Sequence, residues 1–307
     1  MRRWLVLTLK LAVTVGLLAW LASEVDLGEV RDRLAAVGIP AALAAAMVLA
    51  MLIPATAARW GVVQHAIAAP LPGAALLRLT LVGLFFNQVL PAPIGGDAMR
   101  VWAAARAGLP LGKATAGVLL ERLWGLATLL LFAAPVWPWL LPATTPRLAL
   151  AAASTVAALS GLVGLLVVLR LAPAAFARRL PKPVLAVMDD ARSTAWPPGR
   201  VLAILLWSLA GHIASMGAMA TLAAAMGLPL GPAAIVVVVP VALLAMAVPA
   251  SVAGWGVREG ALVAALAGFG IPAADALSLS IAFGLILLLL ALPGAVLWTA
   301  GAKPAQG

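Results

Sequence analysis

Pro91-Ala92-Pro93-Ile94-Gly95-Gly96-Asp97-Ala98-Met99-Arg100 aligns without a gap on Pro249-Ala250-Ser251-Val252-Ala253-Gly254-Trp255-Gly256-Val257-Arg258. Proline, alanine, glycine and arginine coincide, and Ile/Val and Met/Val are conservative matches. Pro, Ala and Gly are abundant here, so their agreement alone could be coincidence. The matching arginines, from a scarce residue class, favour a true internal repeat. Both copies interrupt long apolar stretches. Segments broken by Pro and Gly at corresponding places in two halves of a chain point to a transporter-type site in a membrane.

Composition sets that context. Hydrophobic residues make up 65% of the 307 residues and charged residues 10%, against about 45–50% and about 25% in a soluble domain. Several apolar stretches approach the ~20 residues a spanning helix needs. The alternation of a barrel strand is absent. Spanning helices are expected over Trp4–Ala22, Ile39–Val63, Lys113–Pro135, Leu148–Leu171, Val201–Met226 and Ala276–Trp298. Pro54 inside the second would kink it, which a membrane helix tolerates. Arg2 and Arg3 precede the first as in a signal peptide. However, Trp20 or Leu21 would occupy a cleavage position that wants a small residue, so this helix is read as retained. Within Ser23–Gly38, Leu27, Val30, Leu34 and Val37 fall at i, i+3, i+7 and i+10. Either an amphipathic interfacial helix or a solvated loop fits that segment.

The stretches Ala74–Leu90 and Ala233–Val248 each run into one copy of the motif. A short helix follows each, closed by Gly108-Leu109-Pro110 or Gly270-Ile271-Pro272. Charge decides their topology. The net charge is +10, carried mostly in loops. The connection 172–200 is strongly basic, with Arg178, Arg179, Lys182, Arg192 and Arg200. If each motif unit crossed as a single helix, this connection would lie outside, against the positive-inside rule. If each enters and leaves on one side, the connection and both termini lie in the cytoplasm. The expected fold is an all-α polytopic membrane protein with about six spanning helices plus two re-entrant broken-helix hairpins in an inverted repeat. It forms a single domain over 1–307, with repeat units about 39–171 and 201–300.

Several chemistries have no support. There is no cysteine, so disulfides and thiolate sites are excluded. His65 and His212 are too isolated to suggest a metal site. Gly95-Gly96 belongs to no GxxxxGK[ST] or GxGxxG loop in the right context. Asp189-Asp190 is an isolated pair, read as loop solvation, and no multi-aspartate metal cluster or Ser/His/Asp set is visible. No cofactor, no metal, no nucleic acid and no enzymatic activity are expected.

A charge at bilayer depth costs about 2.5–3.5 kcal/mol or more, and such residues are functional candidates by default. Here they are Asp97, Arg100, Glu121, Arg122, Arg258 and Glu259, with Asn87 beside them. Arg100 and Arg258 are expected to approach the midplane from opposite faces and bind an anionic group, since the planar guanidinium fork suits phosphate oxygens. Gly95, Gly96, Gly254 and Gly256 would let backbone come close to that ligand. The N-termini of the short helices would add donors. Asp97, Glu121 and Glu259 would orient the arginines. The competing reading is structural pairing: Asp97 with Arg100, Glu121 near Arg122, Arg258 near Glu259.

Phe85-Phe86-Asn87-Gln88-Val89-Leu90-Pro91 running into Gly95-Gly96-Asp97 and Arg100, then Leu120-Glu121-Arg122-Leu123, then Pro249-Ala250-Ser251 with Gly254, Gly256, Arg258 and Glu259, resemble the transmembrane region of lysylphosphatidylglycerol synthases. The resemblance covers nearly the whole chain. It departs at Ala253, where glycine is usual, and at Pro93, where a small polar residue is usual. In the full synthases this region is linked to flipping the modified lipid, while a separate soluble domain makes it from aminoacyl-tRNA. The sequence stops at Gly307, soon after its last helix. The resemblance therefore implies a multi-pass lipid flippase or lipid-handling protein of the bacterial inner membrane, without synthase activity. Implied partners are membrane lipids: an anionic phospholipid, an aminoacylated lipid, a polyprenyl-phosphate sugar or a hopanoid. A homo-oligomer or a lipid-synthesis enzyme partner is compatible with it. The alternative is a non-transporting membrane subunit that scaffolds a lipid or envelope enzyme.

Overall fold

A helix satisfies its own backbone hydrogen bonds, which hydrocarbon demands, and this leucine- and alanine-rich chain favours helix throughout. The computed structural model describes residues 2–90, 95–141, 144–171, 182–195, 197–247 and 254–301, and among them there is no strand. The helices are α1 (Arg2–Ser23), α2 (Leu27–Ala36), α3 (Gly38–Ala50), α4 (Leu52–Ala66), α5 (Gly73–Val89), α6 (Gly95–Arg106), α7 (Leu111–Ala133), α8 (Arg147–Leu171), α9 (Lys182–Ala195), α10 (Pro198–Ala225), α11 (Pro232–Ala247), α12 (Val257–Ala267) and α13 (Ala273–Gly301). The molecule is an all-α polytopic membrane protein.

Five stretches are long and apolar enough to cross a membrane: Gly38–Ala66, Leu111–Ala133, Arg147–Gly164, Pro198–Ala225 and Ala273–Ala300. They match five of the six expected spans, and the sixth lies within α1. The first of them comprises α3 and α4, which part at Met51. Pro54 lacks the N–H that would bond back one turn, and Met51 N instead donates to Val48 O at 3.2 Å.

The segment left open between helix and loop is helix α2. Asp26 caps it, accepting from Gly28 N at 2.7 Å. Val30 is buried in a cluster with Ala274 and Leu277 of α13. Arg33 pairs with Asp275 at 2.6 Å and donates to Met226 O at 3.2 Å. Thus α2 lies across the end of α10 and the start of α13.

The internal repeat extends beyond its motif. Both α3–α7, with α3 and α4 together as the first long span, and α10–α13 run as long span, short helix, interruption, short helix, long helix. The short helices α5, α6, α11 and α12 have 17, 12, 16 and 11 residues. At 1.5 Å per residue they reach about 26, 18, 24 and 17 Å, short of the ~30 Å hydrocarbon layer. The connecting turns repeat as well. Ala68 and Gly227 leave α4 and α10 with φ of 55° and 68°, and Ala69 N and Leu228 N reach back to Gln64 O and Ala223 O, both at 2.9 Å. Gly108 and Gly270 leave α6 and α12 with φ of 101° and 73°, and Leu109 N and Ile271 N bond Ala104 O and Leu266 O, both at 3.2 Å. All four are left-handed C-terminal caps. The tips of the repeated motif, Pro91, Ala92, Pro93 and Ile94 in one copy and Pro249, Ala250, Ser251, Val252 and Ala253 in the other, lie outside the described residues.

The largest buried cluster joins Leu49 of α3, Met219 and Leu222 of α10, Val239 of α11, Leu262 of α12 and Phe283 of α13. Leu119, Leu123, Leu126 and Leu130 on α7, and Leu285, Leu289, Leu292 and Val296 on α13, remain exposed. Both sets follow i, i+4, i+7, i+11, one face of a helix. An apolar surface of this extent suits lipid rather than water. Helix α9 accounts for part of the basic connection; Arg178 and Arg179 lie outside the described residues. Asp190, expected to be solvated, is instead buried and ion-paired with Lys113 of α7. Trp124 Nε1 also donates to Thr194 Oγ1 at 3.1 Å, and these contacts hold α9 against α7 from its first turn to just past its middle.

Candidate anion site

Helices α5 and α6 form a tight hairpin because two glycines let their backbones touch. A Cβ on Gly96 would strike the Gly83 carbonyl oxygen and the Asn87 amide, and a Cβ on Gly83 would strike the Arg100 side chain. Gly96 N donates to Asn87 Oδ1 at 3.0 Å. The hairpin carries Arg100 inward, where it is 3% exposed. Its Nη1 reaches Glu121 Oε2 of α7 at 2.9 Å and lies 3.5 Å from Asp97. Its guanidinium carbon stands 4.1 Å from the Trp60 ring centroid, a cation–π contact. Its Nε and Nη2 are buried and have no hydrogen-bond partner among the described residues.

Glu121 is fully buried. Its other oxygen accepts from Arg59 Nε of α4 at 2.9 Å and also from Arg59 Nη2. Arg59 further donates to Ser208 Oγ of α10 at 3.2 Å. Asp97 takes Arg122 Nε at 2.9 Å. Three guanidiniums therefore face two carboxylates, so this cluster carries one excess positive charge beside two free donors.

The second hairpin is closed. Arg258 is buried, bonds Glu259 Oε1 with Nε at 3.0 Å and also through Nη2, and donates to Ser280 Oγ of α13 at 3.0 Å. Trp255 covers it, 4.7 Å from ring centroid to guanidinium carbon. The other Glu259 oxygen accepts from Gly256 N at 2.6 Å, capping α12. This pair is neutral and largely satisfied.

The expected site residues are thus brought into two clusters rather than one. Arg258 packs on α13 at Ser280 and Gly284, while the α5 turn beside Arg100 meets the same helix at Gly294, where a Cβ would strike the Leu81 carbonyl. Ten to fourteen residues separate those levels, roughly 15–20 Å along the helix axis. Of the structural pairings, Asp97 with Arg100 and Arg258 with Glu259 are present; Glu121 instead binds Arg59 and Arg100, and its neighbour Arg122 bonds Asp97. The glycines are not open to a ligand. Gly96 is filled by α5, Gly95 by Leu90, Gly254 lies near Met246 and Gly256 near Leu17 of α1. One N–H at each helix N-terminus is already taken, Gly96 N by Asn87 and Gly256 N by Glu259.

Arg59, Trp60, Ser208 and Ser280 were missing from the expected site. Arg59 was detectable: it is a charge inside an apolar span, the same signal that marked the others. The serines and the tryptophan carry no local signal, since their roles depend on contacts from distant helices.

The family profile described as Lysylphosphatidylglycerol synthase TM region matches residues 7–294 of the chain. No curated protein matches it. The repeated broken-helix hairpins and their buried arginines therefore stand in a chain that belongs to the lysylphosphatidylglycerol synthase TM-region family, membrane proteins tied to lipid handling.

Proposed function

We propose that the protein moves an anionic amphiphile between leaflets and takes its headgroup at Arg100. One observation carries this reading: Arg100 is buried, with Nε and Nη2 unpartnered, in a cluster with surplus positive charge. Leaving such donors unmet in an apolar bundle costs about 1–3 kcal/mol or more. A phosphate oxygen would repay that cost with charge-assisted bonds. Arg59, bonded to Glu121 and Ser208, adds a second guanidinium on the same cluster. The short helices support re-entry, with the first hairpin dipping from the cytoplasm and the second from the opposite face. The basic connection and both termini are then cytoplasmic in a bacterial inner membrane. The cargo class is a phosphate-bearing lipid: an anionic phospholipid, an aminoacylated lipid or a polyprenyl-phosphate sugar. In this reading the chain is a transporter and performs no bond chemistry.

Translocation of a fluorescent phosphatidylglycerol in reconstituted vesicles tests it. Wild type is expected to exceed protein-free vesicles, Arg100→Gln to fall to the protein-free rate, and Arg100→Lys to retain part of the activity. Size-exclusion chromatography verifies that each variant is folded. Full translocation by folded Arg100→Gln overturns the site. A folded wild type no faster than empty vesicles favours the non-transporting subunit instead.

A further inference from the structure

Outside the first hairpin lies a groove that the buried cluster does not use. Helices α5, α6 and α13 enclose about 310 Å³ there, lined by Leu79, Arg78, Trp102, Arg106, Leu297 and Trp298 among others. The two arginines are exposed. Arg78 Nη2 donates to Leu297 O at 3.2 Å, and the Arg106 guanidinium carbon lies 4.3 Å from the Trp102 ring centroid. Neither arginine has a carboxylate partner among the described residues, although most of the described arginines do. Trp102 and Trp298 meet at a tilt of 47°, 5.1 Å between centroids, and Phe86 meets Trp298 edge-on at 5.1 Å.

We infer that this groove is a second lipid site, holding an anionic phospholipid from the leaflet. Two unpaired guanidiniums on one cavity match a phosphodiester with its negative headgroup. Tryptophans belong at the headgroup level of a bilayer, and the wall between them is apolar, as acyl chains require. The occupant is a lipid rather than a soluble phosphate because the lining is mostly hydrocarbon. Arg100 projects from α6 into the bundle, against Gly83, Trp60 and Glu121, and is not among the residues that line the groove.

Native mass spectrometry of the full chain released from nanodiscs reads the site directly. In nanodiscs doped with phosphatidylglycerol, wild type is expected to retain one phosphatidylglycerol more than Arg78→Gln/Arg106→Gln. The double variant should need about tenfold more lipid to reach the same occupancy. A control that removes two arginines elsewhere, Arg31→Gln/Arg192→Gln, should retain lipid as wild type does. Equal retention in the groove variant and wild type, or equal loss in the control, overturns the site. Displacement by millimolar glycerol phosphate would assign the arginines to a soluble phosphate and overturn the lipid. Arg100→Gln should retain the groove lipid even where translocation is lost, so failure of this site and failure of the transport reading give different results.

Discussion

Glu121 is the carboxylate on which two buried guanidiniums converge, one from α4 and one from α6. Removing its charge leaves both cations in an apolar interior with less compensation. Breaking a buried pair costs about 3–5 kcal/mol, so Glu121→Gln should lower thermal stability in detergent by that order, while Asp97→Asn, whose partner Arg122 is half-exposed, should cost much less. At this scale the sequence was informative about which residues matter and silent about which residues meet. A charge in an apolar stretch announces itself, and Arg100, Glu121, Arg258 and Glu259 were all found that way. Their partners are chosen by helix rotation and by contacts between α4, α6, α7 and α10, which no local pattern encodes. Arg59 carried the signal without a second copy to draw notice.

The connecting turns make the case for duplication better than the motif does. Ala68 adopts the left-handed backbone that Gly227 adopts at the matching turn. A Cβ makes that conformation cost about 1–2 kcal/mol, so Ala68→Gly should raise the melting temperature slightly or leave it unchanged. The converse change, Gly270→Ala, should destabilise by about 1 kcal/mol. Differential scanning fluorimetry of both variants checks the sign of each. The helices themselves were legible because their apolar runs are long and end at Gly and Pro. The break at Met51 was displaced from the visible Pro54, since proline frees a carbonyl on the preceding turn rather than at its own position. The amphipathic spacing of Leu27, Val30 and Leu34 could not decide between α2 and a loop, because the deciding groups, Asp275 and Met226, are more than 190 residues away.

For the whole molecule, the inverted arrangement predicts where each hairpin returns to the aqueous phase. The chain has no cysteine, so single replacements report cleanly. Ala107→Cys, after α6, and Ala267→Cys, at the end of α12, should react with impermeant maleimide from opposite sides of sealed vesicles. Reaction of both from one side would remove the inverted topology and, with it, the path through the bundle.

The spacing between the two arginine levels has a kinetic consequence. In the proposed transport, a headgroup docked on Arg100 would not touch Arg258 at the same moment. A full passage would then involve two landings with a leap between them, and the Arg258–Glu259 latch would have to unfasten at the second. Time-resolved translocation of one labelled lipid should accordingly show a lag before exit, and loosening that latch should shorten the wait at the far landing while leaving the first arrival untouched.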